Sequence, residues 1–337
     1  MTLQAPAPTD PDPVEDGRGE QSGAQGGLLT VGETMALIGS PLPGRLGDQR
    51  YLELRVGGAE SNVAIAAARL GCPASWVGRV GADGFGELVV TRVRGEGVAV
   101  YPILDEAPTS IMVKEFRAGT SQVRYYRRDG PGSHLRPDDV DPRLVAAAGA
   151  VHLTGITAGL GPSALATLHT VIDVARAAGV LVSFDVNHRV GLWSAEQAGP
   201  VLTDLVRRAD LVFAGTGEAQ LLGVPEGDLA ALAAGVAALG PREVVILQGA
   251  GGSTVWCDGE LQHAPARAVV VVDPVGAGDA FVGGYLAERL AGAPLTQCLE
   301  TATACGAFAV TCPGDWEGTP TRADLTLLAV PRGSVLR

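Results

Sequence analysis

The stretch Val269-Val270-Val271-Val272-Asp273-Pro274-Val275-Gly276-Ala277-Gly278-Asp279-Ala280-Phe281-Val282-Gly283-Gly284-Tyr285-Leu286 decides how the rest of the chain is read. An apolar, β-branched run ends in a glycine-rich turn. The turn opens onto Phe281, Tyr285, Leu286 and Leu290, which recur at helical spacing. Gly276 and Gly278 let the backbone take positive φ and come close to a ligand. Amides from Gly276 through Ala277 and Gly278 to Asp279 then lie at a helix N-terminus, where N–H groups without helical partners and partial positive charge favour an anion. An acid in a first helical turn is a good capping residue. Beside an anion site it is also placed to act as a general base.

Outward from this stretch the chain alternates. Strands are expected at 28–31, 76–81, 98–104, 150–154, 180–185, 211–213 and 243–248. Helices are expected at 162–178, 194–208 (Ser194 as N-cap), 218–222 and 228–239. Repeated strand–helix units imply an α/β fold, a mainly parallel sheet with helices on both faces. Met35–Ile38 reads as a further strand, 41–50 as loop and 51–56 as extended chain. The alternating runs 110–116 and 122–127 flank a turn at 117–121 and read as a hairpin. A second hairpin is expected at 253–263. Gly57-Gly58 leads into an alanine-rich helix that stops at Gly71, which places Gly58 and Asn62 at its start.

These motifs carry a family resemblance. Asp273-Pro-Val-Gly-Ala-Gly-Asp279-Ala-Phe resembles the C-terminal signature of the ribokinase-like carbohydrate kinases, the PfkB family. Gly57-Gly58 followed by Asn62 resembles the N-terminal one. The resemblance covers about residues 28–330. It implies a ribokinase-like three-layer α/β/α domain at 27–330, with a small β-sheet lid built from segments near 37–56 and 108–128. It implies ATP and Mg²⁺, with Asp279 as base and the 276–278 turn as anion hole. Gly58 and Asn62 would meet the sugar, and Gly249 and Gly252 the nucleotide. Asp185-x-Asn187-x-Arg189 with Leu192-Trp193, Tyr125-Tyr126-Arg127 and Gly314–Pro320 resembles the 2-keto-3-deoxygluconate kinases within the family. That implies Arg189, Tyr125 and Arg127 on a sugar acid. The implied reaction is phosphorylation of 2-keto-3-deoxygluconate to its 6-phosphate. The alternatives are a kinase for fructose or another neutral ketose, a non-catalytic sugar-binding regulator, and a dinucleotide-dependent enzyme. The last rests on Gly159–Ala164 after a strand, with Asp185 ending the next.

The sequence departs from the family at three places. Gly215 replaces the Asn of an Asn-x-x-Glu element, leaving Glu218 for the outer shell of Mg²⁺. Met35-Ala36-Leu37 replaces a region that carries a sugar-binding Asp in ribokinases. Met112 stands where the subgroup has an aromatic residue.

The remaining expectations come from composition. A net charge of −12 disfavours nucleic acid. No run reaches the ~20 apolar residues that span a bilayer, and no secretory signal is expected. Five cysteines without a C-x-x-C spacing fit reduced thiols in the cytoplasm, with Cys305 and Cys312 expected in the core. Residues 1–26 are polar and Pro/Gly-rich and read as a disordered tail, with a short C-terminal tail at 331–337. The family resemblance adds a homo-oligomer, a dimer through the β lid or higher.

Overall fold

A computed structural model describes residues 26–329 except 41, 43, 118 and 119. Nearly all of both expected tails, and the tip of the first hairpin, lie outside those residues. In chain order the strands are β1 (Leu28–Val31), β2 (Met35–Gly39), β3 (Glu53–Gly57), β4 (Ala74–Gly81), β5 (Ala99–Asp105), β6 (Ile111–Arg117), β7 (Thr120–Tyr126), β8 (Ala150–Thr154), β9 (Leu181–Asp185), β10 (Leu211–Gly215), β11 (Glu243–Leu247), β12 (Ser253–Cys257) and β13 (Glu260–Ala264). The helices are α1 (Ala59–Arg69), α2 (Gly84–Gly95), α3 (Pro142–Ala147), α4 (Gly155–Gly159), α5 (Pro162–Ala178), α6 (Ala195–Arg207), α7 (Thr216–Leu221), α8 (Leu229–Ala237), α9 (Ala277–Leu290) and α10 (Leu295–Ala309).

The main sheet has nine strands in the order β13-β12-β11-β10-β9-β8-β1-β4-β5. Its pairings are parallel from β5 through to β11. The hairpin β12–β13 adds two antiparallel strands at one edge. β1 and β8 are buried at every residue, as strands covered on both faces must be. Period-2 geometry sends alternate residues to opposite sides. Leu29 and Val31 join a core with Leu168 and Ile172 of α5, Leu202 of α6 and Val236 of α8. Leu28 joins the other, with Ile65 of α1, Val93 of α2, Leu286 of α9 and Leu299 of α10. Helices therefore cover both faces, giving three layers.

The chain leaves this sheet after β1 and again after β5 to build a second, four-stranded sheet in the order β3-β2-β6-β7. Met35 and Leu37 of β2 and Met112 of β6 form its small core. The expected strand at 35–38 is thus present but belongs to this second sheet.

One expectation is corrected. Cys312 is exposed rather than in the core, because the chain turns away from α10 before reaching it, while Cys305 is buried on that helix. The β-branched run 269–272 pairs with no strand among the described residues. The amides of Val272 and Asp273 donate to Val310 O at 2.7 and 3.2 Å, and Val270 and Val271 are 69% and 60% exposed. Val269 and Val271 line a cleft instead of a sheet.

Candidate active site

Gly276 caps α9 with φ 78°. A Cβ there would lie 1.6 Å from Asp315 O, so the turn closes on the 314–317 loop only without a side chain. Asp279 follows in the first turn of α9. The N-terminus of α1 faces it. A Cβ on Gly58 would lie 2.2 Å from Glu33 O, so the entry to α1 runs against the chain leaving β1. The two helices touch through small residues: a Cβ on Gly283 would come within 2.4 Å of that of Ala66. This close approach brings Asn62 Nδ2 to donate to Asp279 Oδ2 at 2.8 Å. Asn62 and Asp279 are 2% and 9% exposed.

Around this pair lies a cavity of about 490 Å³. Asp185, Gly215 and Leu247, at the carboxyl ends of β9, β10 and β11, line one wall, where open α/β sheets take their ligands. Gly58, Asn62, Arg189, Glu218, Gly276, Gly278 and Asp279 all face it. The small sheet supplies the opposite wall through Met35, Met112, Val123, Tyr125 and Arg127. The cavity therefore gathers residues from both ends of the sequence and from both sheets.

Arg127 lies 5.5 Å above the Tyr125 ring and forms an ion pair with Glu33. Glu33 Oε1 also accepts from Ser110 Oγ at 2.7 Å. Glu33 is a cavity residue that the sequence reading passed over. Its signal is a lone acid directly after Gly32 at the end of a buried strand. Arg189 stands exposed in the loop after β9. The same loop holds Asn187 at φ 35°, with its amide donating to Asp185 Oδ2 at 3.2 Å. His188 turns its ring toward Trp193 O.

Acidic side chains crowd this cavity. Burial pushes the Asp279 carboxyl up to about 6, opposed by the Asn62 hydrogen bond and the Arg189 charge and aided by Glu60. Burial likewise pushes Asp315 up to about 6, with Lys114 opposing and Asp279 adding to the rise. Burial, then the charges of Glu218 and Asp279, raise Asp185 well above the usual carboxylate range, with Arg189 opposing. Burial thus raises all three carboxyls, and the cations beside them oppose the rise.

Glu218 Oε2 accepts from Gly215 N and Oε1 from His188 N, both at 2.7 Å. Each oxygen keeps a lone pair that a metal-bound water can use. Among the described residues no three His, Cys, Asp or Glu side chains gather to hold a metal ion. A divalent ion here would be carried mainly by its ligand's oxygens and water. A second cavity of about 570 Å³ adjoins the first, sharing Leu247, Pro274 and Gly278. Gly249, Gly252, Ala277 and Phe281 line it. Gly249 and Gly252 therefore sit apart from Asp279's cavity, next door to it across Gly278.

Comparisons with known proteins agree with this arrangement. The family profile "pfkB family carbohydrate kinase" matches residues 26–322. A 2-dehydro-3-deoxygluconokinase of Thermoproteus tenax is 36% identical over 87% of this chain and 91% of its own. A 2-dehydro-3-deoxygalactonokinase of Haloferax volcanii is 33% identical over 86% of this chain and 92% of its own. Among solved structures, an E. coli protein assigned as a ribokinase II, in complex with ATP and Mg²⁺, superposes with a TM-score of 0.82. It shares 26% identity, covering 90% of this chain and 98% of its own. The ribokinase-like fold expected from the sequence is therefore present, and the chain belongs to the pfkB family of carbohydrate kinases.

Proposed function

We propose that this chain transfers the γ-phosphoryl group of ATP to the terminal hydroxyl of 2-keto-3-deoxygluconate, giving the 6-phosphate. One observation carries the reading: the buried Asp279 carboxylate stands at a helix N-terminus where two adjoining cavities meet. The sugar acid takes the first cavity and the nucleotide the second. Asp279 accepts the hydroxyl proton as the sugar oxygen bonds to phosphorus and the bond to ADP breaks. First-turn amides of α9, without partners inside the helix, face the charge on the transferred group. Glu218 would touch the water shell of a bound Mg²⁺, which would supply charge neutralisation at the nucleotide phosphates.

Arg189 meets the substrate carboxylate, for which a guanidinium fork is suited. Tyr125 and Arg127 hold the sugar from the small sheet, which acts as a lid, while Gly58 and Asn62 meet its hydroxyls. Arg127 brings its own counter-charge in Glu33, which leaves Arg189 as the cation for the acid group. A neutral ketose offers Arg189 no opposite charge, only neutral acceptor oxygens. The relatives' names differ in the sugar's epimer, so both the gluconate and galactonate forms belong in the test.

The outer face of the small sheet, with Leu54 of β3 and Tyr126 of β7 exposed, suits a second copy of the chain. We place the protein in the cytoplasm, where ATP is supplied. The experiment is a coupled ADP-release assay over a panel of sugar acids and neutral ketoses. Turnover of the 2-keto-3-deoxy acids well above that of fructose supports the reading. Preference for fructose would replace it.

A further inference from the structure

Lys114 is a charged residue facing inward on an otherwise alternating strand. It lies in β6, paired with Gly39 of β2 and Val123 of β7, and is 8% exposed. Its ammonium lies 2.5 Å from Asp273 Oδ2 and 3.3 Å from Asp315 Oδ1. Neither carboxylate belongs to the small sheet. Asp273 opens the glycine turn: its Oδ1 accepts from Val275 N at 3.2 Å and its Oδ2 from Gly314 N at 3.2 Å. Asp315 presses its backbone carbonyl against Gly276, at the cap of α9. Ser121 Oγ, from β7, donates to Asp273 Oδ1 at 3.0 Å. One ammonium from the small sheet therefore ties together both segments that shape the turn beside Asp279.

We infer that Lys114 is a positioning residue: it holds Asp273 and Asp315 in register and so fixes the backbone turn at Gly276 that faces the transferred group. The inference rests on the kinase reading for its effect on turnover, though not on which sugar is used. Removing the cation strands two buried carboxylates, of which Asp315 interacts with Asp279. Breaking a buried pair by deleting one partner leaves an uncompensated charge, so the turn must shift or take up a proton. A displacement of about 1 Å at reacting atoms costs on the order of 100-fold in rate.

The test compares wild type, Lys114→Met, Lys114→Arg and the double variant Lys114→Met/Asp315→Asn. Turnover is measured on the panel sugar that wild type uses best. Hydrogen–deuterium exchange of the amides of Val275, Ala280 and Gly314, which donate to Asp273 Oδ1, Gly276 O and Asp273 Oδ2, is followed in the same proteins without sugar. The expected result for Lys114→Met is faster exchange at those amides and a kcat loss of about 10- to 100-fold, with KM for ATP within about twofold. Lys114→Arg restores most of both, and the double variant loses less exchange protection than Lys114→Met. Unchanged exchange at Val275, Ala280 and Gly314 in folded Lys114→Met overturns the inference. Exchange needs no substrate, so it judges Lys114 even where the sugar-acid reading fails.

Discussion

The Asn62 side-chain amide donates to Asp279 Oδ2 at 2.8 Å, joining the first turns of α1 and α9. The bond steadies the charged form of a carboxyl that burial disfavours. Asp279 titrates near 6 in the fold and near 3.9 in an unfolded chain. An acid whose pKa is raised by folding weakens the fold as pH climbs from the unfolded value through the folded one. Above that the penalty is complete, at most roughly 3 kcal/mol. Asp279→Asn is therefore expected to be at least as stable as wild type at pH 7.5. Its advantage should shrink toward pH 4. Urea unfolding at the two pH values measures this, and a large loss at pH 7.5 would contradict it.

The same titration sets the pH profile. A base must be ionised, so kcat/KM should fall on the acid side with an apparent value near 6. That value belongs to the group of carboxylates, since Asp185 and Asp315 interact with Asp279. Arg189 lowers the pKa of Asp279. Arg189→Ala should move the acid limb to higher pH. A profile unmoved by that substitution would separate Arg189 from the base.

Arg189 also carries the specificity claim. Loss of a charged hydrogen bond of about 1.5–3 kcal/mol raises KM for the sugar acid roughly 10- to 100-fold. The kcat/KM for fructose should stay within a few-fold. Steady-state kinetics on both substrates at pH 8 gives the comparison. Equal losses on both would point to a general structural role.

Gly276 and Gly278 are two positions apart and should respond differently. A Cβ at 276 meets Asp315 O at 1.6 Å and sits at φ 78°, whereas a Cβ at 278 meets nothing within 4 Å. Gly276→Ala should lose about 1–3 kcal/mol or more of stability. Gly278→Ala should keep its melting temperature while losing turnover, because its methyl enters space shared by the two cavities. Thermal melts paired with activity separate the two effects.

Much of this site was legible because its signals are local. The helix expected at 162–178 is observed at Pro162–Ala178, where Pro162 starts it and Gly179 ends it at φ 70°. Both glycine turns fall where the sequence places them, and Asn62 and Asp279 follow at helix starts. What was hidden depends on pairing across long stretches of chain. Met35–Ile38 reads as a strand, but its partner β6 lies far along the sequence and only the family resemblance joins the two segments in a lid. That pairing sets the small sheet apart from the large one. Glu33 and Lys114 gain meaning only when Arg127 and Asp273 arrive beside them. The run 269–272 has strand composition, yet that composition serves a cleft wall.

The central claim is that Asp279 takes the proton from the sugar hydroxyl. Its most direct test is the ADP-release rate of Asp279→Asn with saturating 2-keto-3-deoxygluconate, ATP and Mg²⁺, beside wild type. The account predicts a fall in kcat of about 10²- to 10⁴-fold, with substrate and nucleotide KM little changed. A variant that keeps wild-type turnover would contradict it.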